Sequence, residues 1–502
     1  MLRIVTAVLA AALMALALTQ LLAQTRGLRT LDTTLDGTPV TVLWRAGAPP
    51  APAVVIAHGF AGSRGLMAPF ATTIARAGYV AVSFDALGHG ANPAPLTGDV
   101  STEQGATARL LAQLAAVDAY ARTLPQANGQ LALLGHSMAS DIVVRQAIAD
   151  PAIEATIAVS LFSPEVTPDL PRNLLVITGA LEPGLTDEAL RVAGLAAGAP
   201  AEPFTTTGDP ALGTARRAVL SPGVEHVGVL YSATSQDEAR DWLDLVFDRP
   251  PAASTDTDDR AGWLGLWFLG ATALAWSAAS LLPRIAPPSP RARPRWRPFL
   301  AALAVPALVT PFVAQLAPEG LLPVPVADYL SVHFLLYGLI TAAILWRAGW
   351  PRPGPVRPAR TALAAGAFIG FAVLAIYLPL DRFVTAFTPQ PARLSLLVTL
   401  FVGLLPYFVA DEALTRAPTA PRAAYALSKL AFLVSLAIAI ALDPGRLFFL
   451  ILILPVMLIF FVLFGLFSSW THRATGTPLT AALACAALFA WAIAVTFPIL
   501  GT

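Results

Sequence analysis

A serine lies in the middle of the pentapeptide Gly135-His136-Ser137-Met138-Ala139, between two small residues. A run with strand character precedes it and a run with helical character follows it, which is the arrangement of a nucleophile elbow. Such a turn is so sharp that Gly135 and Ala139 must both be small; the usual pattern ends in glycine, and Ala139 adds one methyl group. The turn holds the Ser137 hydroxyl beside a helix N-terminus, which favours developing negative charge. The pentapeptide therefore predicts a nucleophilic serine.

The elements that would position this serine alternate between strand and helix. Residues from 27 to 258 have the composition of a water-soluble domain, and short apolar runs alternate there with helical stretches. This pattern predicts an α/β domain with a parallel sheet. The predicted strands are 38–44, 54–57, 79–85, 131–134, 156–161, 174–178 and 218–220, and the predicted helices include 67–77, 104–123, 188–195 and 236–247.

Three motifs at strand ends resemble those of the α/β-hydrolase family over residues 30–248. They are His58-Gly59-Phe60, the run from Asp85 to Gly90, and the pentapeptide around Ser137. The resemblance implies an α/β-hydrolase fold with a mostly parallel sheet. The stretch between Leu161 and Leu174 is too short for the large cap found in part of the family, so we expect an open or membrane-covered site.

The resemblance also implies a base for the serine. In the family the order along the chain is serine, acid, histidine. Downstream of Ser137 the histidines are His226, His333 and His472, and the last two belong to the predicted membrane block. His226 follows a predicted strand and is similarly placed to the catalytic histidine of the family.

The acid that orients His226 is expected to be Glu182. The segment Gly179-Ala180-Leu181-Glu182-Pro183 is similar to the family's Gly-x-x-Asp-Pro loop, with glutamate in place of aspartate. Two alternatives stay open. Asp187 is expected to cap the helix 188–195, and Glu225 is expected to point away from its neighbour.

The oxyanion hole implied by the resemblance uses backbone N–H groups of Phe60 and Met138. The remaining histidines of the domain have the wrong chain order for the base, and we expect loop hydrogen bonds from them; they are His58, His89 and His136. Asp85 is expected to shape its loop. No metal site and no cofactor are predicted.

The bulk composition indicates a membrane protein. Hydrophobic residues make up 56% of the chain and charged residues 13%, and the formal net charge is +1, which gives no indication of nucleic-acid binding. Cys485 is the single cysteine, so an intramolecular disulfide is excluded. The apolar N-terminal run to Ala23 predicts an uncleaved signal anchor, with cleavage near Ala15-Leu16-Ala17 as the alternative.

A polytopic all-α transmembrane domain is expected after a polar linker. The predicted division is 1–26 anchor, 27–250 hydrolase domain, 251–261 linker and 262–502 transmembrane domain of about eight helices. The predicted spans lie near 262–282, 298–316, 327–346, 361–380, 394–410, 423–442, 447–467 and 478–500.

Basic residues alternate between the predicted loops. The first loop carries Arg284, Arg291, Arg293, Arg295 and Arg297. The third loop carries Arg347, Arg352, Arg357 and Arg360, and the fifth carries Arg416, Arg422 and Lys429. The second carries none, the fourth only Arg382 and Arg393, and the sixth only Arg446. The positive-inside rule then puts the odd-numbered loops in the cytoplasm. We expect a multi-pass protein of the cell (inner) membrane with an extracytoplasmic hydrolase domain.

The helical half offers a second, weaker resemblance. The run from Asp411 and Glu412 to Arg416 resembles the Glu-Glu-x-x-x-Arg signature of CAAX-protease-like membrane proteins. That family needs histidines on later helices, and only His472 follows, so an acidic pair at the membrane boundary is the alternative. His333 is the only ionisable residue expected well inside a span.

The favoured interpretation is a membrane-bound serine hydrolase acting on an ester-type bond, whether a carboxylic ester, a lipid or a related acyl compound. Its partners would be that substrate and the membrane lipids, with the oligomeric state open. One alternative is an acyltransferase of envelope lipids. Another is a transporter or sensor that carries a hydrolase-like domain.

Overall fold

The computed structural model describes residues 1–98, 103–250, 257–287, 289–351 and 357–501. The chain divides into two compact units. The sheet unit contains Leu16–Gly265, Leu380–Ala386 and Pro498–Thr502, and the helical unit contains Met1–Ala15, Leu266–Pro379 and Phe387–Phe497. Two predictions concern residues outside the described ranges. One is the linker 251–261, of which 251–256 are not described, and the other is the loop residue Arg352.

The sheet unit is built on one sheet of eight strands, in the order β1-β2-β4-β3-β5-β6-β7-β8. The strands are β1 Leu28–Leu35, β2 Thr38–Arg45, β3 Ala51–Ala57, β4 Val80–Phe84, β5 Ala127–His136, β6 Ile153–Val159, β7 Leu174–Gly179 and β8 Arg216–Ser221. Strand β2 pairs antiparallel with β1 and β4, and the other pairs are parallel. The mostly parallel sheet expected from the sequence is therefore confirmed.

Helices cover both faces of this sheet, which explains why its central strands are continuous apolar runs. The N-terminal apolar helix is α1 (Leu2–Ala23), and the helices of the sheet unit that follow are α2 Ala68–Arg76, α3 Ala108–Thr123, α4 Met138–Ala149, α5 Pro183–Ala193 and α6 Ala233–Val246. Ile56 packs with Phe70 of α2 and Trp242 of α6 on one face. Val55 packs with Leu114 of α3 on the other.

The connection between β6 and β7 contains no helix, so the described part of the sheet unit has no large cap there. One prediction about the neighbouring helix is wrong. Helix α5 begins at Pro183 and not at 188, so Asp187 lies inside the helix and does not cap it.

Two short segments that follow apolar helices belong to the sheet unit. Ser63 Oγ contacts Thr385 Oγ1 at 2.8 Å and accepts a hydrogen bond from the backbone N–H of Ala386 at 2.9 Å. Leu96 and Leu500 form a parallel bridge. The loop around 385 and the segment around 500 therefore pack on the strand-end loops of the sheet.

Nine helices in the described residues are long and apolar enough to cross a membrane. They are α1 and the spans α7 Arg260–Leu281, α8 Trp296–Ala314, α9 Ala327–Arg347, α10 Pro358–Phe383, α11 Pro391–Arg416, α12 Ala424–Leu442, α13 Phe449–Thr475 and α14 Leu479–Thr496. Each of the expected spans has a counterpart among them.

Charged residues are more deeply buried in the helical unit than the sequence indicated. Lys429 was assigned to the fifth loop; it lies inside α12, is 5% exposed and is ion-paired with Asp411. Glu412, 2% exposed, accepts hydrogen bonds from Arg416 and Ser468. His333 is therefore not the only ionisable side chain inside the spans.

Candidate active site

Ser137 occupies the turn between β5 and α4. Its backbone has φ +54°, a left-handed value that non-glycine residues rarely adopt. The turn is possible because Gly135 has no side chain: a Cβ there would lie 2.3 Å from the carbonyl oxygen of Ala139. The structure thus gives the physical reason for a small residue before the serine, and Ala139 itself is buried without conflict.

His226 lies in the loop after β8 and reaches Ser137. The distance from His226 Nε2 to Ser137 Oγ is 2.8 Å. The His226 side chain is 17% exposed, so the pair lies near the surface. If the serine hydroxyl donates, Nε2 is the acceptor, which is the arrangement a general base requires.

Glu182 lies on the far side of the same imidazole. Its Oε1 is 2.6 Å from His226 Nδ1, while its Oε2 accepts hydrogen bonds from Gly179 N at 2.8 Å and Ser160 Oγ at 2.9 Å. The carboxylate is only 7% exposed, so these donors fix its orientation. A Cβ at Gly179 would lie 3.0 Å from Glu182 Oε2 and 2.5 Å from the Val224 carbonyl oxygen, which explains the glycine.

The alternative acids lie elsewhere. Glu225 accepts hydrogen bonds from the backbone N–H groups of Val227 and Gly228, at 2.7 and 2.9 Å. Asp187 is exposed on α5. The structure therefore brings together Ser137, His226 and Glu182, and neither alternative contacts His226.

His136 makes a contact that the sequence did not reveal. Its Nε2 lies 2.9 Å from the carbonyl oxygen of His226 and must donate to it. Burial, together with the nearby His226, lowers the pKa of His136 to about 3, so the ring is neutral near pH 7. His136 thereby fixes the backbone position of His226, whose side chain contacts Ser137. No sequence signal marks this role, because it depends on where the loop after β8 folds back.

The expected oxyanion hole lies where the loop after β3 passes the elbow. A Cβ at Gly59 would lie 2.9 Å from the Cβ of Ser137, so only glycine allows this approach. Met138 is the first residue of α4, and the first N–H groups of a helix have no intrahelical acceptor. Phe60 follows Gly59 on the same loop. Both expected donors thus belong to segments that flank Ser137.

His58 fixes this loop in place. Its Nε2 accepts a hydrogen bond from Ala86 N at 3.0 Å, so its Nδ1 is the nitrogen that donates to the Gly59 carbonyl, at 2.8 Å. Burial lowers the pKa of His58, in keeping with a neutral ring. The expected role in loop hydrogen bonding is what the structure displays.

Asp85 organises the next loop, after β4. Its carboxylate is ion-paired with Arg64 and accepts hydrogen bonds from Arg64 N at 2.7 Å and Ala91 N at 2.9 Å. A Cβ at Gly90 would lie within 2.8 Å of that carboxylate. Asp85 is 1% exposed and has no contact with Ser137 or His226 among its hydrogen bonds, so it shapes the loop.

Apolar side chains are exposed at the strand ends next to the elbow. Phe162, after β6, is 74% exposed, and Leu181, beside Glu182, is 62% exposed. Large apolar groups at such a position are suited to contact an apolar ligand. No cluster of His, Cys, Asp and Glu that could hold a metal ion occurs among the described residues.

A family model described as "Serine aminopeptidase, S33" matches residues 48–189. The matched segment contains Ser137 and Glu182 and ends before His226. No curated protein matches the chain.

Solved structures of low identity also align with the sheet unit. A dienelactone hydrolase from Anabaena variabilis is 15% identical, with 43% of this chain and 98% of that chain covered and a TM-score of 0.32. An epoxide hydrolase from Vigna radiata is 21% identical, with 29% and 41% of the two chains covered and a TM-score of 0.22. The chain spans well under two thirds of the length of that epoxide hydrolase, and scores of this size say nothing about substrate.

The family match covers β3 to α5, which are the elements that carry the elbow and the acid. The sheet is mostly parallel, and the serine, acid and histidine follow in that chain order at its strand ends. The sheet unit has the α/β-hydrolase fold, and it is joined in one chain to a helical region with several long apolar helices.

Proposed function

We propose that the protein is a membrane-bound serine hydrolase that cleaves an ester-type bond through an acyl-enzyme. The observation that carries this proposal is the continuous row of contacts from Ser137 Oγ through His226 to Glu182, at 2.8 and 2.6 Å. A serine hydroxyl is a weak nucleophile until a positioned base removes its proton, and this row supplies the base and its orienting acid.

The reaction follows from the positions of these groups. Ser137 Oγ attacks the carbonyl carbon while His226 Nε2 takes the hydroxyl proton, and the Glu182 carboxylate stabilises the resulting imidazolium. The N–H groups of Met138 and Phe60 stabilise the oxyanion. The intermediate collapses, and His226 returns the proton to the leaving alcohol. Water then attacks the acyl-enzyme with His226 as base, which releases the acid and regenerates Ser137.

The acyl part of the substrate is expected to be apolar. Phe162 and Leu181 offer exposed apolar surface beside the elbow, and the connection between β6 and β7 places no helix over it. A lipid or long-chain ester suits such an open site. The description of the matched family supports a second candidate, the hydrolysis of a peptide bond next to a free N-terminus.

We further propose that the domain lies outside the cytoplasm. The alternation of basic residues between the loops supports this orientation. The contacts of Ser63 with Thr385 and of Leu96 with Leu500 support it too, because the fourth loop and the segment after α14 are both expected on that side.

Labelling with a fluorophosphonate probe tests the chemistry in the full chain in membranes. We expect wild type to be labelled, Ser137→Ala to be unlabelled and His226→Ala to be labelled at least a hundredfold more slowly. Ser395→Ala, which changes an exposed serine of α11, serves as the matched control. Unchanged labelling of Ser137→Ala would contradict the proposal.

Parallel assays with p-nitrophenyl esters and aminoacyl p-nitroanilides separate the two substrate classes. We expect ester hydrolysis to rise with acyl-chain length. Faster turnover of the anilides would favour the peptidase over the esterase.

A further inference from the structure

The helical unit contains two adjoining cavities that play no part in the hydrolase site. Their volumes are about 410 and about 510 Å³, and Arg284 and Arg473 line both. Volumes of this size are typical of pockets for small ligands. We call the two cavities together the basic cleft, because its charged lining residues are Arg3, Arg284, Arg291, Arg416, Arg422 and Arg473.

The positive charge of the basic cleft is largely uncompensated. No aspartate or glutamate lines either cavity. Arg416 is neutralised by the buried Glu412 behind it. Within the described ranges, Arg291, Arg422 and Arg473 have no carboxylate partner. Clustered like charges repel one another, so a bound anion would lower the energy of this arrangement.

Part of the cleft is lined by tryptophan. Trp276 and Trp470 line the smaller cavity, and the Arg3 guanidinium lies 5.3 Å from the centroid of the Trp276 ring. The Arg284 guanidinium donates to the Arg473 carbonyl oxygen at 2.9 Å, which joins the first loop to the end of α13. Tryptophan is enriched where membrane meets water, and arginine binds phosphate through two parallel hydrogen bonds.

The residues that line the basic cleft come from segments that are far apart in sequence but are predicted to lie on the same side of the membrane. Arg3 lies in the first turn of α1, Arg291 is in the first loop, Arg422 is in the fifth loop, and Arg473 lies in the last turn of α13. The charge pattern puts all of these on the cytoplasmic face, where the membrane leaflet carries anionic lipids. Arg3 contributes only if the N-terminal helix is retained.

We propose that the basic cleft binds a phosphate-bearing anion, namely the headgroup of an anionic phospholipid. The arginines bind the phosphate, and Trp276 and Trp470 contact the glycerol and the first carbons of the acyl chains. The site is independent of the hydrolase chemistry, since none of its residues belongs to the sheet unit. The other source of the same chemistry is free inorganic phosphate.

Native mass spectrometry of the full chain, purified and delipidated in detergent, tests this proposal. The probes are phosphatidylglycerol, phosphatidylcholine and inorganic phosphate, each added separately. We expect retention of phosphatidylglycerol over phosphatidylcholine. The double variant Arg291→Gln/Arg422→Gln should lose about tenfold or more in phosphatidylglycerol affinity, since each arginine near a lipid phosphate contributes to binding.

Arg347→Gln is the matched control, because it removes an exposed arginine at the end of α9 that does not line the cleft. The variant Arg291→Lys/Arg422→Lys keeps the charge and should retain most of the binding, which covers the case in which the glutamine variant fails to fold. Binding of inorganic phosphate that is lost in the glutamine variant, without retention of phosphatidylglycerol over phosphatidylcholine, would assign the site to free phosphate. Equal retention of phosphatidylglycerol by wild type and both double variants would overturn the proposal.

Discussion

The two oxygens of the Glu182 carboxylate have different hydrogen-bond partners. Oε1 contacts His226 Nδ1, while Oε2 is held by Gly179 N and Ser160 Oγ. Glu182→Gln keeps the shape but removes the negative charge, and an amide nitrogen directed at Nδ1 favours the wrong tautomer of His226. We expect kcat for ester hydrolysis to fall at least a hundredfold with KM little changed.

The matched control for this change is Glu225→Gln. Glu225 is the neighbouring acid, but it accepts hydrogen bonds from Val227 N and Gly228 N instead of from His226. Its replacement should change kcat less than about fivefold, the scale of one ordinary hydrogen bond. A reversed ranking of the two variants in steady-state kinetics would show that Glu182 is not the orienting acid.

The residues of the site were largely predictable, and the exceptions have one cause. Ser137, Glu182 and His226 each lie in a short motif that can be recognised from its neighbouring residues. The motifs and their order along the chain were therefore enough to predict that the three residues form one site. For His136 a loop hydrogen bond was expected but its partner was not, and Ser160 was not singled out, since each acts on a partner from another loop. A contact of that kind leaves no mark in the residues next to it.

Asp118 should make the sheet unit sensitive to pH. It is 3% exposed on α3, and burial raises its pKa from 3.8 to about 7, against weaker opposing effects of Gln146 and Arg122. Between these values the unfolded chain has lost the proton and the folded chain keeps it. The free energy of unfolding therefore falls as pH rises through this window, by up to about 1.4 kcal/mol per pH unit.

Asp118→Asn removes that dependence. We expect its apparent unfolding temperature to exceed that of wild type at pH 7 to 8 and the difference to shrink towards pH 4, as measured by thermal scans of the detergent-solubilised protein. Asp36→Asn, at an exposed turn, should show no such trend. A constant difference across the range would mean that Asp118 is ionised in the folded protein.

At the scale of elements, the elbow depends on the close approach of β5 and α4. A Cβ at Gly135 would lie 2.3 Å from the Ala139 carbonyl oxygen and 2.7 Å from Val143 Cγ2. Gly135→Ala must therefore push α4 away from the strand, at a cost of about 1–3 kcal/mol for overpacking. We expect a lower unfolding temperature and a fluorophosphonate labelling rate reduced at least tenfold.

Gly184→Ala is the control for this substitution. Gly184 lies in α5, and a Cβ there meets nothing within 4 Å. Alanine is the better helix former by up to about 1 kcal/mol, so this variant should be as stable as wild type or slightly more so. Equal labelling rates in the two alanine variants would show that the elbow tolerates a side chain at Gly135.

The strands that were easiest to predict from the sequence are those buried on both faces of the sheet. Strands β3, β4 and β7 are buried throughout and appear as continuous apolar runs. Strand β1 was missed, because most of its residues are polar and most are exposed at the sheet edge. Lys429 was placed in a loop because charge usually marks a span's end, whereas here Asp411 on the adjacent span neutralises it.

At the scale of the whole molecule, that ion pair should be essential for the helical unit. Removing one member of a buried pair leaves an uncompensated charge, which costs about 3–5 kcal/mol. We expect Lys429→Met and Asp411→Leu each to lower the yield of folded protein strongly in fluorescence-detected size-exclusion chromatography. The double variant Asp411→Leu/Lys429→Met should recover much of the loss. A double variant worse than both single variants would argue for a role beyond charge compensation.

The proposed orientation of the chain in the membrane rests on the arginines of the predicted loops and can be tested by chemical labelling. Cys485 is the only cysteine and is buried, so wild type should give little background with a membrane-impermeant maleimide. Asn128→Cys, at the exposed start of β5, should be labelled in cells whose inner membrane is intact, because the domain is expected outside the cytoplasm. Arg347→Cys, at the end of α9 where the arginine-rich third loop begins, should be labelled only after that membrane is permeabilised. The opposite pattern would place the hydrolase domain in the cytoplasm and the arginines of the basic cleft on the outer face.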